Sequence, residues 1–166
     1  MTGPVPAIAP AKVKDDTLRS FAGYHMKRAF NVVQADLSHR LKPLGLRMVT
    51  FSALVLIVDN PGLRQSHLAD ALAIERPNIV AILDELQRKG LIARDRAPDD
   101  RRAYALRATQ AGEQTYQQAM AVMRDHEHQV FDALTPAERE ALIATLRKVE
   151  TRPQTRPQTR PMGGTT

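Results

Sequence analysis

The chain has 166 residues, no cysteine and a net charge of +6 at pH 7. This length favours one compact domain, which can bury roughly 68–70% of its unfolded-chain surface without a disulfide or a metal. The lack of cysteine excludes thiolate catalysis, thiol redox sensing and Cys-ligated zinc. The first 16 residues lack the pattern of a signal peptide, and the longest nearly apolar run, 51–58, is far shorter than the ~20 residues that span a bilayer. We therefore expect a soluble cytoplasmic protein.

The positive charge is concentrated in two terminal tails. Residues 1–14 contain two lysines and no acid, and residues 151–166 contain three arginines and no acid, so the tails account for five of the six net charges. The first tail is rich in Pro and Ala, and the second repeats Thr-Arg-Pro-Gln. Both compositions predict disorder. The arginines of the second tail either contact phosphates or belong to a solvated extension with no role, so the overall charge is weak evidence for a nucleic-acid partner.

The first predicted helix is long and has one apolar face. Over residues 15–41, apolar side chains recur at steps of three and four, at Ala22, Met26, Ala29, Val33, Leu37 and Leu41. This spacing is typical of an amphipathic helix. A helix of about 27 residues is close to 40 Å long, which exceeds what a small domain covers. We therefore expect a partner subunit to cover part of it.

Three shorter helices are predicted next. Residues 49–58 have one apolar face and end at the strong turn sequence DNPG, 59–62. Two further helices are predicted at 65–72 and 77–89, and Pro77 fits the first turn of the second.

The last part of the chain predicts a hairpin and two more helices. Residues 91–95 and 103–108 have the pattern of short strands. Thr109 then begins a long helix, and the sequence TPAE at 135–138 predicts the start of another, because Thr, Pro and Glu stand where a capping box needs them. Together these two helices occupy about 110–149.

The two short helices at 65–89 indicate a helix-turn-helix. The joint AIER, 73–76, is just long enough to set the second helix across the first. The second helix can enter a DNA major groove while its apolar face stays in the core. Its leading residues would then face base edges and phosphates; these are Arg76, Pro77, Asn78 and, one turn on, Ala81. Arg76 can donate to guanine or phosphate, and Asn78 can pair with adenine through two hydrogen bonds.

The hairpin that follows is rich in arginine. Five arginines lie within fourteen residues: Arg94, Arg96, Arg101, Arg102 and Arg107. Arginines on a protruding loop suit the minor groove of DNA, where narrow A·T stretches concentrate negative potential. Asp99 and Asp100 lie among them, and one of these acids can hold an arginine in place through a two-point ion pair. The alternative is a solvated hairpin whose charges pair only with each other.

These segments resemble the MarR family of winged helix-turn-helix transcriptional regulators. The resemblance rests on the wing sequence LIARDRAPDDRR at 91–102, followed by a strand and a Thr-x-x-Gly helix start at 109–112. The segments PLGL at 43–46, NPGL at 60–63, LQRKGLI at 86–92 and LTPAER at 134–139 resemble the family in the same order. The match extends over residues 18–149. It implies a mainly α fold with a small β-hairpin wing, in a domain at 15–150 whose DNA-binding part is at about 46–108.

The resemblance also implies roles for particular residues. Arg102 matches the wing-tip arginine that enters the minor groove, and Asp100 matches the acid that positions it. Arg76, Pro77 and Asn78 match the start of the recognition helix. Ala81 departs from the family, whose members often carry a polar or basic residue there.

By the same resemblance, the long first helix and the last two helices, about 15–41 and 110–149, form the interface of a homodimer. A two-fold dimer would place two recognition helices about 34 Å apart and read a pseudo-palindromic operator in double-stranded DNA.

Members of the family often bind a small aromatic acid or its derivative between the dimer helices and the winged domain. The segment GYHMKRA at 23–29 resembles regulators of aromatic and phenylpropanoid catabolism, whose effectors are free acids or CoA thioesters. The candidate ligand-binding residues are Tyr24, His25, Arg28, Asn31, Met48 and Phe51. Lys27, Arg28 and Arg40 can serve a carboxylate or phosphate. The alternative is an ordinary helix face with a hydrogen-bonded histidine and solvated arginines.

We therefore expect a dimeric, sequence-specific repressor that an anionic aromatic compound releases from DNA, with no cofactor and no membrane partner. An architectural DNA-binding protein without an effector is the second hypothesis, and a helical enzyme is the third. The third is weakest because the sequence offers no recognisable nucleophile, phosphate loop or metal motif. His126 and His128 are two residues apart, which points their rings to opposite sides of a helix and disfavours a metal site.

Overall fold

The structure, a computed structural model, describes residues 14–97 and 100–151; for residue 97 and residues 100–103 it describes the backbone alone. Six α-helices, two short 3-10 turns and a small sheet are the regular elements of these residues, which confirms the predicted mainly α fold with a hairpin wing. The helices are α1 Ala22–Leu41, α2 Met48–Asp59, α3 Gln65–Ala71, α4 Arg76–Arg88, α5 Gln110–Val130 and α6 Pro136–Glu150. The strands are β1 Leu63–Arg64, β2 Ile92–Ala97 and β3 Asp100–Ala108. The predicted tails lie outside the described residues except for Lys14 and Thr151.

The first helix is shorter than predicted. It begins at Ala22, seven residues after the predicted start, because Phe21 is extended (φ −106°, ψ 127°) and separates α1 from a 3-10 turn at Leu18–Ser20. The side chain of Asp15 bonds Arg19 and the hydroxyl of Tyr24, both at 2.7 Å, and this holds the turn against the helix. Twenty residues give α1 a length of about 30 Å instead of the expected 40 Å.

The hydrophobic core is built around α2 and α4. Helix α2 buries Ala53, Leu54 and Ile57, and the inner face of α4 packs beside them. Strand β3 adds Leu106, and α1 adds only the last part of its predicted stripe, Leu37 and Leu41. The rest of that stripe is exposed or half-buried in this chain.

The sheet is a three-stranded antiparallel one in the order β1-β3-β2. Strands β2 and β3 are longer than predicted and form the hairpin, with Ile92 opposite Ala108 and Arg96 opposite Tyr104. The sequence pattern did not predict β1, because its two residues are too few to show a period. Gly90 (φ +69°) ends α4 in the left-handed conformation and turns the chain into β2.

The chain divides into two compact units between His126 and Glu127, within α5. In the first unit, α5 buries Gly112, Ala119 and His126, which recur every seven residues and so share one face. In the second unit, α6 begins with the predicted capping box, since Glu138 N donates to Thr135 Oγ1 (3.3 Å) and Thr135 N donates to Glu138 Oε2 (2.9 Å). Helix α6 buries no residue within this chain.

No single helix of the described residues is long and apolar enough to cross a membrane; Ala22–Leu44 and Met48–Asp59 meet that criterion only jointly, across a bend of 68°.

Candidate functional site

Helices α3 and α4 form the predicted helix-turn-helix. The joint between them turns at Ala73, whose φ of +51° lies in the left-handed region. Backbone hydrogen bonds close this turn, from Ala73 N to Asp70 O (3.1 Å) and from Ile74 N to Ala69 O (2.9 Å). Helix α4 then buries one face in the core, at Ile79, Ile82, Leu83 and Leu86. Its opposite face is left to solvent.

The residues predicted to meet DNA lie on that solvent face. Arg76, Pro77, Asn78 and Ala81 are all exposed. Within the described part of the chain, the side chains of Arg76 and Asn78 have no hydrogen-bond or ion-pair partner. Their donors and acceptors are therefore available to an external ligand at the amino-terminal end of α4, where the helix dipole favours anions.

Both carboxylates of α4 are paired with basic residues. Asp84 accepts a hydrogen bond from Arg94 of β2. Glu85 accepts from Arg47, at the start of α2, and from Lys89 Nζ at 2.8 Å. The hydrogen bonds from Lys89 and Arg47 lower the pKa of Glu85 below its ordinary value. These pairs neutralise the acids of a helix that would otherwise repel a phosphate backbone.

The basic residues of the hairpin differ in whether an acidic side chain of the protein pairs with them. Arg96 is exposed, whereas only 16% of the Arg94 side chain is exposed because it is paired with Asp84. Arg107 pairs across the hairpin with Asp95 at 2.6 Å. The side chains of Asp100, Arg101 and Arg102, and the whole of Asp99, lie outside the described residues.

A cavity of about 500 Å³ lies between α1, α2 and the segment that leads into α4. Its lining is Gln34, Ser38, Arg47, Met48, Val49, Ser52, Leu72 and Ile74. Arg47 contributes the one charged group of this lining, and the same side chain holds Glu85 of α4. An anion in the cavity would therefore lie beside a guanidinium that already contacts α4.

The comparisons with known proteins agree with this geometry. The model of the MarR family matches residues 46–104, which contain the helix-turn-helix and most of the hairpin. A protein of Thauera aromatica, described as a transcriptional regulatory protein for the hcr operon, is 37% identical over 130 residues, covering 76% of this chain and 77% of its own length.

The chain belongs to the MarR family.

Two solved structures of the transcriptional repressor CouR are similar to this MarR-family chain. One, bound to a 23-mer DNA duplex, is 36% identical with a TM-score of 0.81 and covers 84% of this chain and 99% of its own. The other, bound to p-coumaroyl-CoA, is 34% identical with a TM-score of 0.77 and covers 85% of this chain and 99% of its own. The predicted membership of the MarR family is thus confirmed, and the protein is a transcriptional regulator of that family.

The structure does not gather the six predicted ligand residues of this MarR-family protein in one place. His25, Arg28 and Asn31 line an open concavity of about 540 Å³ on α1. Met48 lines the cavity beside Arg47 instead. Tyr24 bonds Asp15, and Phe51 is 7% exposed and packs in the core, so neither lines either concavity. Three side chains were predicted to bind an anion, and of these only Arg28 lines one of the two concavities. Lys27 lines neither of them, and Arg40 is bonded to Asp36.

One polar cluster of this MarR-family chain could not be predicted from the sequence. His126 is fully buried, and its Nδ1 donates to Asp36 Oδ2 at 2.7 Å, which links α5 to α1. Arg40 Nε donates to the same oxygen at 2.5 Å. Ninety residues separate His126 from Asp36, so no local pattern connects them. Arg47 was also missed, although it directly precedes the predicted Met48.

Proposed function

We propose that the protein is a dimeric, sequence-specific DNA-binding repressor that an anionic aromatic compound or its CoA thioester releases from its operator. The observation that carries the DNA-binding part is the solvent face of α4, where Arg76 and Asn78 are exposed and both carboxylates of the helix are paired. Within α4 itself both acids are paired, and Glu75, directly before the helix, is exposed. The likeness to CouR bound to a DNA duplex supports DNA as the partner.

In this proposal α4 enters the major groove and the hairpin reaches the adjacent minor groove. Arg76 donates to guanine or to phosphate, and Asn78 pairs with adenine. Arg96, Arg101 and Arg102 supply the wing contacts, and Asp100 positions Arg102, as the family resemblance implies. Arg94 has a partner within the protein, so we assign it to positioning the wing on α4 instead of to DNA.

The partner subunit is a second copy of this chain. In the first unit, large apolar side chains on and before α1 face solvent: Leu18, Phe21, Met26, Phe30 and Val32. In the second unit, α6 exposes Leu142, Ile143 and Val149. Surfaces of this kind are rare on monomers and are typical of subunit interfaces. A two-fold dimer also presents two copies of α4 to one operator.

The effector site we propose is the cavity beside Arg47. It combines apolar walls with a few polar groups and one guanidinium, which is the composition expected of a site for an amphipathic anion. Its volume of about 500 Å³ lies within the range of small-molecule sites. The CouR structure with p-coumaroyl-CoA supports an aromatic CoA thioester as the class of ligand.

Arg47 connects this site to the DNA-binding helix. An anion that binds the Arg47 guanidinium competes with Glu85 for the same donor. When Glu85 loses Arg47, α4 loses one attachment to α2 and gains negative charge near the DNA backbone. Both changes weaken DNA binding, and by reciprocity DNA must weaken effector binding by the same factor.

Footprinting on the promoter region of the protein's own gene tests the function. A regulator protects a discrete pseudo-palindrome, and a CoA thioester of an aromatic acid removes the protection at a concentration where free CoA does not. Uniform coating of the DNA at all sequences would instead support the architectural hypothesis and reject the repressor.

A further inference from the structure

The centre of the DNA-facing surface of α4 is apolar. Val80 is 40% exposed, and its neighbours Ala81 and Pro77 are also exposed. The core contacts of α4 are made by the opposite face, so these three side chains add little to packing within the chain. A β-branched valine on an open helix surface is also a weaker helix former than alanine, lysine or arginine. Neither packing nor helix propensity accounts for Val80, which points to a contact outside the chain.

The charges around this apolar patch indicate what the contact is. Arg76 lies one turn before Val80, and Arg88 lies two turns after it. Asp84 and Glu85, the two carboxylates within α4, are held by Arg94, Arg47 and Lys89. An apolar strip with basic residues at both ends and neutralised acids complements a surface with phosphates at its edges and methyl groups between them. The major groove of A·T-rich DNA is such a surface, since each thymine places its 5-methyl group there.

We propose that Val80 and Ala81 read thymine methyl groups in the major groove, with Asn78, beside Ala81, on adenine. The operator half-site is then A·T at the base pairs that face the middle of α4. Alanine and other small apolar side chains contact the thymine methyl directly, and neither cytosine nor uracil offers that group. Asn78 and Ala81 are three residues apart and so are neighbours on the helix surface, which lets one A·T step satisfy both. This inference rests on the DNA binding proposed above and adds the class of base that is read.

Replacement of thymine by deoxyuridine tests the proposal, because it removes one methyl group and leaves base pairing unchanged. The probe is the promoter segment protected in the footprint, synthesised with dU at one thymine position at a time. The full-length protein is titrated against each duplex by fluorescence anisotropy at one salt concentration. We expect dU at one or two positions of each half-site to weaken binding about fourfold, which corresponds to about 0.8 kcal/mol for one buried methyl group.

The variant Val80→Ala identifies the reader. Alanine is the better helix former, so the variant keeps α4 intact. It should bind the unmodified duplex less tightly and lose most of the dU effect at one position. Gln87→Ala, an exposed substitution two turns along the same side of α4, is the matched control and should keep the full dU effect.

Two results would overturn the inference while leaving the proposed function in place. In the first, the wild-type protein binds the unmodified duplex tightly, and its affinity for every dU-containing duplex lies within about twofold of that value. In the second, the dU penalty persists unchanged in Val80→Ala, so that other residues read the methyl groups. Absence of tight binding to any promoter duplex would instead reject the proposed function, and the inference with it.

Discussion

Arg94 on the first wing strand β2 is paired with Asp84 on α4, and the pair leaves 16% of the Arg94 side chain exposed. The two residues are ten positions apart in sequence, on opposite sides of the turn at Gly90. The ion pair therefore fixes the direction in which the hairpin leaves α4. Since α4 and the wing are proposed to enter neighbouring grooves, their relative orientation decides whether both can bind at once.

If Arg94 acts by positioning, Arg94→Ala and Asp84→Ala should weaken operator binding to a similar degree. The double variant should be little worse than either single variant, with a coupling energy of about 0.5–3 kcal/mol. The slope of log affinity against log salt should stay at the wild-type value for Arg94→Ala, because no phosphate contact is lost. A slope reduced by about 0.9 would show instead that Arg94 contacts a phosphate.

Gly112 lies in the first turn of α5, directly after the second wing strand β3. A Cβ atom on Gly112 would lie 1.9 Å from the carbonyl oxygen of Leu91, which is backbone and cannot move aside. Thr109 completes the joint, since its Oγ1 donates to Gly90 O (2.6 Å) and accepts from Gly112 N (3.0 Å). The Thr-x-x-Gly pattern therefore has a steric cause.

We expect Gly112→Ala to lower the free energy of unfolding by about 1–3 kcal/mol, the usual cost of forced overpacking. Gly23→Ala is the matched control, because Gly23 lies in α1 with nothing within 4 Å of its Cβ position. Alanine there should leave stability unchanged or raise it by up to about 1 kcal/mol. Urea unfolding of the two variants measures the difference, and equal stabilities would contradict the steric explanation.

The parts of the fold that were predicted correctly have local signals. The capping box at Thr135, the turn before α3 and the glycine after α4 each depend on residues within a few positions of one another. The hairpin and the helix-turn-helix follow from such signals in sequence order. They sufficed to define the fold class and the solvent face of α4.

The parts that were missed depend on distant residues. The start of α1 is set by the contact between Asp15 and Tyr24, nine positions apart, which a helical period does not encode. The link between His126 and Asp36 spans ninety residues. Phe51 shows the same limit for the site, because an apolar residue at the start of a helix can face either a pocket or the core.

The cluster of Asp36, Arg40 and His126 predicts a pH dependence of stability. Hydrogen bonds from Arg40, and secondly from His126, hold the pKa of Asp36 below its ordinary value of 3.8. A carboxylate with a lowered pKa in the folded state stabilises the protein fully above its unfolded-state pKa, and that contribution is lost as the pH falls through the folded-state pKa. Wild-type stability should therefore decrease on acidification below about pH 4.

In Asp36→Asn this part of the pH dependence should be absent. The variant should be less stable than wild type near neutral pH, and the difference should shrink toward about pH 3. Chemical unfolding of both proteins between neutral pH and about pH 3 measures this difference in stability. A stability difference that stays constant from neutral to acidic pH would show that the charge of Asp36 is not involved.

Arg47 and Arg28 distinguish the two concavities as effector sites. Arg47→Ala should abolish the response to an aromatic CoA thioester and should by itself weaken DNA binding without effector, because Glu85 loses the same partner that the effector would take. Arg28→Ala, on the open concavity of α1, should keep the response. A hundredfold release corresponds to about 2.7 kcal/mol of coupling, which calorimetry with and without operator can measure.

Glu85→Gln tests the proposed connection in the same assay. It weakens the contact with Arg47 but leaves the guanidinium available to the effector, so effector binding should persist while release is reduced. If Arg28→Ala removed the response and Arg47→Ala kept it, the effector would bind on α1, as the sequence first suggested.

The proposed role of α4 is sequence-specific binding of DNA. Its most direct test is an equilibrium titration of the full-length protein, at one salt concentration, against its own footprinted promoter segment and against a scrambled duplex of the same composition. We predict a preference for the promoter segment of about a thousandfold or more, and a loss of at least about tenfold of that preference in Asn78→Ala. Equal affinities of the wild-type protein for the two duplexes would contradict sequence-specific binding by α4.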